Sequence, residues 1–399
     1  MEVGVAMGRH LFKLLLCSCL CCALAIGCGR KEPPAAATAA RTDARETDPQ
    51  IMELHPLSQL TASKPTHLAV DSVGNVYWVQ ETPTGQDILF FAGQDNIPQP
   101  TDLTSSSILA ALDPSGVSAT GGSGDIQSIA IDADDNILFF FTGGAGKSIR
   151  VCVGQFNPHN HLIRILADTR SLAAAGQMGN SIGIARGQII KPTTLHPGQP
   201  TRYWLWLHHS DAAIFLRFDP HSAERGQQME LPLAFNHLTG EGAPANLTTD
   251  LLEFSAGADQ GLLMVEWRMA MLWRIDENGV ATKWMSLLGL PRDLSEITAR
   301  PSGIAIAFGP KGEPAVGTEG DGQSVNEGHF LHVQYPALIA ITADDVIGTV
   351  AAEDIHGPPG VDVPHLRFRS VVPTNVRNQW VGYDAASGLL LRMALTSKD

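Results

Sequence analysis

The densest chemistry in the chain lies in residues 204–220, WLWLHHSDAAIFLRFDP, where His208, His209 and Asp211 interrupt an apolar run. Imidazole and carboxylate groups this close suit a metal site or an acid–base pair. The run itself reads as strands, and neighbouring residues on a strand point to opposite faces. His208 and His209 are therefore not expected to chelate one ion together. Other clusters are weaker. His159 and His161 sit in NPHNH, where Pro158 and the asparagines signal a loop. Residues 356–365, HGPPGVDVPH, read as an ordered Pro/Gly-rich surface loop. Asp321, Asn326 and Glu327 in EGDGQSVNEGH lack the spacing of an EF-hand calcium loop. No Gly-x-Ser-x-Gly elbow, zincin motif or Cys-x-x-Cys-His haem site stands out.

The elements around these residues recur. From residue 66 on, strand-like runs rich in Val, Ile, Leu, Phe and Trp alternate with Asp- and Gly-containing turns such as Gly74-Asn75, Asp134-Asp135-Asn136 and Lys311-Gly312. The copies are THLAVDSVGNVYWVQ with DILFFAG, SIAIDADDNILFFFTG with SIRVCVG, RYWLWLHHSDAAIFLRFD, GLLMVEWRMAMLWRID, SGIAIAFGPKGEPAVG with HFLHVQ, and QWVGYDAASGLLLRMAL. Their third strands centre near Phe90, Val151, Leu216, Trp273, Leu331 and Leu391, a spacing of about 60 residues that marks a repeat architecture. Short strands without a helical period favour an all-β, six-bladed β-propeller over residues 51–399. The sixth copy stops after its third strand. Residues 51–57, IMELHPL, resemble QMELPL at 228–233, the expected outer strand of the third copy. The N-terminal stretch 51–57 is thus expected to complete the last blade and close the ring. Three segments, 102–114, 168–176 and 291–298, carry Thr, Ser or Asp caps before short Ala/Leu/Ile runs and read as helix-like connections. The seven tryptophans fall mostly in strands and are expected to pack between blades.

The N-terminus sets the compartment. Arg9 and Lys13 precede an apolar run of about 14 residues, short for a membrane span and typical of a secretory signal. Leu24-Ala25-Ile26-Gly27-Cys28 resembles a bacterial lipoprotein signal. The resemblance implies a signal peptide over 1–27, cleavage before Cys28 and lipidation of its thiol. Cleavage at another small residue is the competing reading. Gly29 after the cysteine implies, by the same likeness, the outer membrane, facing periplasm or cell surface. Residues 29–50 are rich in Ala, Pro, Thr and charge, which suits a flexible tether. The net charge of −14 argues against nucleic acid and against anionic lipid. With Cys17, Cys19, Cys21 and Cys22 in the signal and Cys28 lipidated, Cys152 stands alone. It reads as a buried small apolar residue.

The repeats PTHLAVDSVGNVYWV and YWLWLHHSDAAIFLRFDP resemble NHL-repeat proteins and the six-bladed propellers of the gluconolactonase type. That likeness implies a divalent metal, such as calcium, held by a Glu, an Asn and an Asp at the channel mouth. Here Thr66-His67 stands at the first position, Asn180 fits the second, and Ser302 replaces the Asp. The departure leads us to expect no cofactor. Aligning LRFD with WRID places His209 on Glu266 and Asp211 on Arg268. Glu81 and Glu319 fall in similar loops. The expected binding face thus comprises Glu81, His208, His209, Asp211, Glu266, Arg268 and Glu319, with His67 and Asn180 nearer the channel; ordinary solvated loops are the competing reading. No convergent catalytic set emerges. The expectation is a membrane-anchored, non-catalytic binding module for an envelope protein or saccharide. A divergent metal-dependent lactonase-like hydrolase, or a carbohydrate-binding or lyase propeller, is the alternative.

Overall fold

The computed structural model describes residues 50–60, 65–82, 87–93, 95–113, 123–145, 148–176, 184–192, 201–209, 212–222, 229–247, 252–256, 260–266, 271–286, 294–300, 303–308, 337–341, 346–350, 354–363, 368–374, 376 and 379–397. Within 294–350 and at His209 the description is of the backbone.

The chain meanders. β1 (Gln50–Gln59) belongs to the last sheet. The first sheet is β2 (Thr66–Val70), β3 (Val76–Glu81), β4 (Asp87–Ala92) and β5 (Pro98–Thr104), followed by helix α1 (Ser105–Leu112). The second is β6 (Ser123–Ile131), β7 (Ile137–Ala145), β8 (Ser148–Asn157) and β9 (Leu162–Ala167), followed by α2 (Thr169–Ala175). The third is β10 (Ile184–Ile190), β11 (Tyr203–His209), β12 (Ala212–Phe218) and β13 (Leu233–Phe235). The fourth is β14 (Leu252–Ala256), β15 (Leu262–Glu266), β16 (Met271–Ile275) and β17 (Ala281–Ser286). A further sheet holds β18 (Leu294–Arg300), β19 (Gly303–Phe308), β20 (Ala337–Ile341) and β21 (Val346–Val350). Finally β22 (Ile355–His356), β23 (Phe368–Pro373), β24 (Gln379–Asp384) and β25 (Leu389–Ser397) join β1 in the order β22-β1-β25-β24-β23.

The first strands meet in cyclic order: β2, β6, β10, β14, β18, β23 and back to β2. The sheets therefore stand around one axis as a β-propeller. Its cores lie between neighbouring sheets. Tyr77, Val79 and Leu89 of the first sheet pack with Phe139, Phe141 and Cys152 of the second. Phe140 and Val153 pack with Tyr203, Leu205 and Leu216. Trp204 and Phe215 pack with Phe254, Met264 and Trp273. Trp78 and Val76 pack with Val372, Val381 and Leu390. Trp78, Trp204 and Trp273 are buried. Gly187 is required where β10 crosses the ring of Phe140, since a Cβ there would lie 2.4 Å from that ring.

Local chemistry sets the turns. Asp71 Oδ1 accepts the amides of Val73 (3.1 Å) and Asn75 (2.8 Å), and Gly74 takes φ +91°. Asp132 repeats the turn, accepting the amides of Asp134 and Asn136 at 2.8 and 2.9 Å. Thr104 and Asp168 cap α1 and α2, each in a reciprocal pair with a serine three residues on. Third-strand residues then tie sheet to sheet. Arg217 on β12 lies 4.9 Å from the Trp204 ring centroid and bonds Gln260 (2.7 Å) and Glu277 (2.9 Å) on the fourth sheet.

Several expectations are corrected. Residues 291–298 do not form a helix where described: Leu294–Arg300 is a strand paired along β19. Its Ser and Glu suit a cap locally, but Ile297 and Thr298 suit a strand and tertiary pairing decides. The stretch 303–308 is consequently the second strand of its sheet, and Ala337–Ile341 is the third. The segment 329–334 lies outside the described residues, as does the turn Lys311-Gly312. The outer strand of the third sheet is Leu233–Phe235 rather than 228–233. Pro232 has no amide to donate, and its carbonyl accepts the Arg217 amide at 3.1 Å.

β1 lies antiparallel along β25, with Met52 opposite Leu395, Leu54 opposite Met393 and His55 opposite Arg392. Only the two-residue parallel strand β22 lies beyond it. Met52, Leu54 and Leu57 are buried, each stabilising the fold by roughly 2 kcal/mol. Deleting 51–57 is expected to lower the thermal midpoint by about 10 °C or more, read by calorimetry. An unchanged midpoint would remove the closing role of this strand.

Candidate functional site

An up-and-down sheet sorts its connections onto two faces. The turns between first and second strands, and between third and fourth, lie on one face. The second-to-third connections and the passages to the next sheet lie on the other. Bonds between neighbouring sheets fix this arrangement. The turn residue Ser72 donates its amide to Asp135 of the next sheet's equivalent turn at 2.8 Å. At the opposite end, Asp87 opens β4 and reaches the start of β6.

The second-to-third face holds the expected site residues that the structure describes. Glu81 ends β3 and is exposed. His208 and His209 end β11, and Glu266 ends β15. The His208 ring stacks on Trp206, centroids 5.9 Å apart and 7° from parallel. Trp206 also packs against Phe254 of the fourth sheet. Glu266 Oε2 accepts the indole N–H of Trp273 at 3.0 Å. His67 lies at the start of β2 with φ +50°, at the bulge between Thr66 and Leu68. Cys28, Asn180, Asp211, Arg268 and Glu319 lie outside the described residues.

Sequence reasoning missed two features here. The first is a recurring bulge near the start of the first strand, seen in β2, β6, β10, β18 and β23. Such a bulge turns an extra residue out of register and re-aims its side chain. In β6 the extra residue is Gln127, whose Oε1 accepts the Gly187 amide of β10 at 3.0 Å. The amino acids at these bulges share no type, so no residue pattern announces them.

The second is Asp87. It is 7% exposed, and its Oδ2 accepts the Ile126 amide at 2.6 Å. Its own amide donates to Ser105 Oγ at 3.0 Å, and that hydroxyl donates to the Gly124 carbonyl at 2.7 Å. Burial is the main cause that pushes its carboxyl up to about 7; the Ile126 amide opposes this, while a bond to the Asp125 carboxyl and the charges of Asp125 and Glu81 add to it. Two carboxyls in one hydrogen bond hold a proton between them. The signal for Asp87 was absent from its neighbourhood, because its partner Ile126 lies 39 residues away. Elsewhere, burial pushes the Cys152 thiol well up, so it is an inert core group. Among the described residues, no group of three or more His, Cys, Asp or Glu is placed to hold a metal ion.

No family model and no curated protein matches the chain. Solved structures with a similar fold include a catalytically inactive virginiamycin B lyase from Staphylococcus aureus with quinupristin. It shares 11% identity over 86% of this chain and 100% of that one, with a TM-score of 0.44. A Bacteroides thetaiotaomicron protein of unknown function shares 10% identity over 87% and 76%, TM-score 0.46. PQQ-bound aldose sugar dehydrogenase from Streptomyces coelicolor shares 11% over 88% and 100%, TM-score 0.41. These likenesses concern the β-propeller architecture alone.

The Asp87 geometry sets a pH dependence. Its folded value is raised, so the folded chain holds a proton that the unfolded chain has released between about pH 4 and pH 7. The associated stability is complete below about pH 4 and is lost as pH rises through about 7. Asp87→Asn keeps an acceptor for Ile126 and removes the titration. The fall in thermal midpoint of the parent between pH 4 and 7 is expected to flatten by several degrees in the variant. Parallel curves for the two proteins would contradict the assignment.

Proposed function

We propose that the chain is a lipid-anchored envelope protein. In this reading the sheets form a six-bladed ring, and the ring is a non-catalytic binding module for an envelope protein or saccharide. Cys28 carries the anchor, and the second-to-third face carries the contact. One observation supports the binding reading above others: Glu81, His208 and Glu266 belong to three different sheets. Glu266 is bonded to Trp273, and His208 is stacked on Trp206. A small-molecule reaction needs groups within hydrogen-bond reach of one atom. Polar ends offered one per sheet suit a broad surface contact instead. Outer-membrane placement follows from Gly29 by likeness to lipoprotein signals and is part of the same proposal.

A second reading, a hydrolase or lyase at this face, draws on the proton held near neutrality by Asp87. Measurement of metal content and of turnover on sugar lactones separates the two. Turnover abolished by Asp87→Asn with the thermal midpoint retained would favour the enzyme.

Two variants test the leading proposal. Cys28→Ala is expected to abolish palmitate labelling and to move the protein from the membrane to the soluble fraction. Glu81→Lys combined with His208→Ala is expected to weaken at least severalfold the capture of whatever crosslinks to the parent in intact envelopes, with the thermal midpoint unchanged. Membrane retention and labelling of Cys28→Ala would overturn the anchor, and undiminished capture would overturn the face.

A further inference from the structure

We infer that the face opposite the binding face lies against the lipid surface, and that its partner is a bilayer of zwitterionic headgroups. The inference rests on the lipid-anchored reading above and deepens it by giving the propeller an orientation.

Exposed large apolar side chains are distributed unevenly between the two faces. Val73, Ile97, Ile149, Leu162, Val280 and Val376 are the exposed large apolar residues among the described ones, with exposures from 43% at Val280 to 65% at Val73. Val73 lies in the β2–β3 turn and Val376 in the β23–β24 turn, both first-to-second connections. Ile97 precedes β5, Leu162 opens β9 and Val280 precedes β17, all at third-to-fourth connections. Five of the six therefore share one face. Ile149, at the start of β8, stands alone on the other.

The chain enters the propeller at that same face. β1 occupies the fourth position of its sheet, antiparallel to the third strand β25. A fourth strand starts at the end where third-to-fourth turns lie, so Gln50 begins there. Cys28 precedes Gln50 by 22 residues. A coil of that length spans roughly 25 Å on average, about the scale of a small domain. An anchor of that reach holds the apolar side chains at high local concentration near the bilayer, so contacts too weak to bind membranes alone still set orientation.

Charge selects the lipid. Asp95, Asp134, Asp276 and Glu277 are exposed in turns of this face. The histidines His161 and His221 beside it are paired with Asp102 and Asp134. Acidic turns repel an anionic surface and tolerate a zwitterionic one. The opposite face, with Glu81, His208 and Glu266, is then turned away from the membrane and toward a partner.

The test uses the full lipidated protein in phosphatidylethanolamine–phosphatidylcholine vesicles. Single nitroxide labels are placed through Leu162→Cys, Val280→Cys and Ile149→Cys; buried Cys152 stays in place. Collision with membrane-dissolved oxygen, relative to an aqueous nickel chelate, is expected to be severalfold higher at Leu162 and Val280 than at Ile149. Replacing part of the phosphatidylcholine with phosphatidylglycerol is expected to reduce that contrast, and Val73→Ser with Ile97→Ser to reduce it at Leu162. Equal ratios at the three sites, or a higher ratio at Ile149, would overturn the inference. The mass of the Cys28 peptide tells the premises apart. Without lipid, the anchored reading has failed and the orientation falls with it; with lipid and equal ratios, only the orientation has failed.

Discussion

The fold depends on one non-covalent seam. In the other sheets the strands follow one another along the chain, so each hairpin forms locally. In the last sheet β1 pairs with β25, and Ile51 bonds Thr396 across 345 residues of sequence. Joining ends so far apart carries a large loop-closure entropy. That cost is offset by the pairing along β1 and by burial of Met52, Leu54 and Leu57. The first strands contact one another around the axis in a closed cycle, so opening one seam exposes the packing between the last and first sheets.

The same meander decides which residues can act together. Second-to-third connections face one way and the acidic Asp turns face the other. Asp87 and Arg217 show what polar groups do between sheets. Asp87 joins the first sheet to the start of β6, and Arg217 joins the third sheet to Gln260 and Glu277 of the fourth. Both are partly removed from water and both are met by bonded partners, the condition under which buried polar groups hold a structure in one register. The binding face is built on strand ends fixed by these links rather than on long loops.

Much of this was legible in the sequence. Asp71 with Asn75, and Asp132 with Asn136, are turn signals whose side chains do what their types suggest. Thr104 and Asp168 announce their helices. Alignment of the repeats placed Glu81, His208 and Glu266 at second-strand ends, because the sheet period is strict. What was not legible depends on distant partners. Residues 294–298 carry a helix-like local pattern, yet β19 pairs with them. A bulge inserts one residue without any compositional mark, so Gln127 looked like any strand residue. The raised Asp87 carboxyl arises from burial beside a sheet that begins far along the chain.

The most direct test of ring closure is native-state hydrogen exchange along β1. If the seam closes the fold, the paired amides of β1 exchange only through global opening, with the same protection as those of β25 and β24 and the same dependence on denaturant. Fast exchange in β1 with protection retained throughout β24 and β25 would show a strand that frays independently, and would contradict the account.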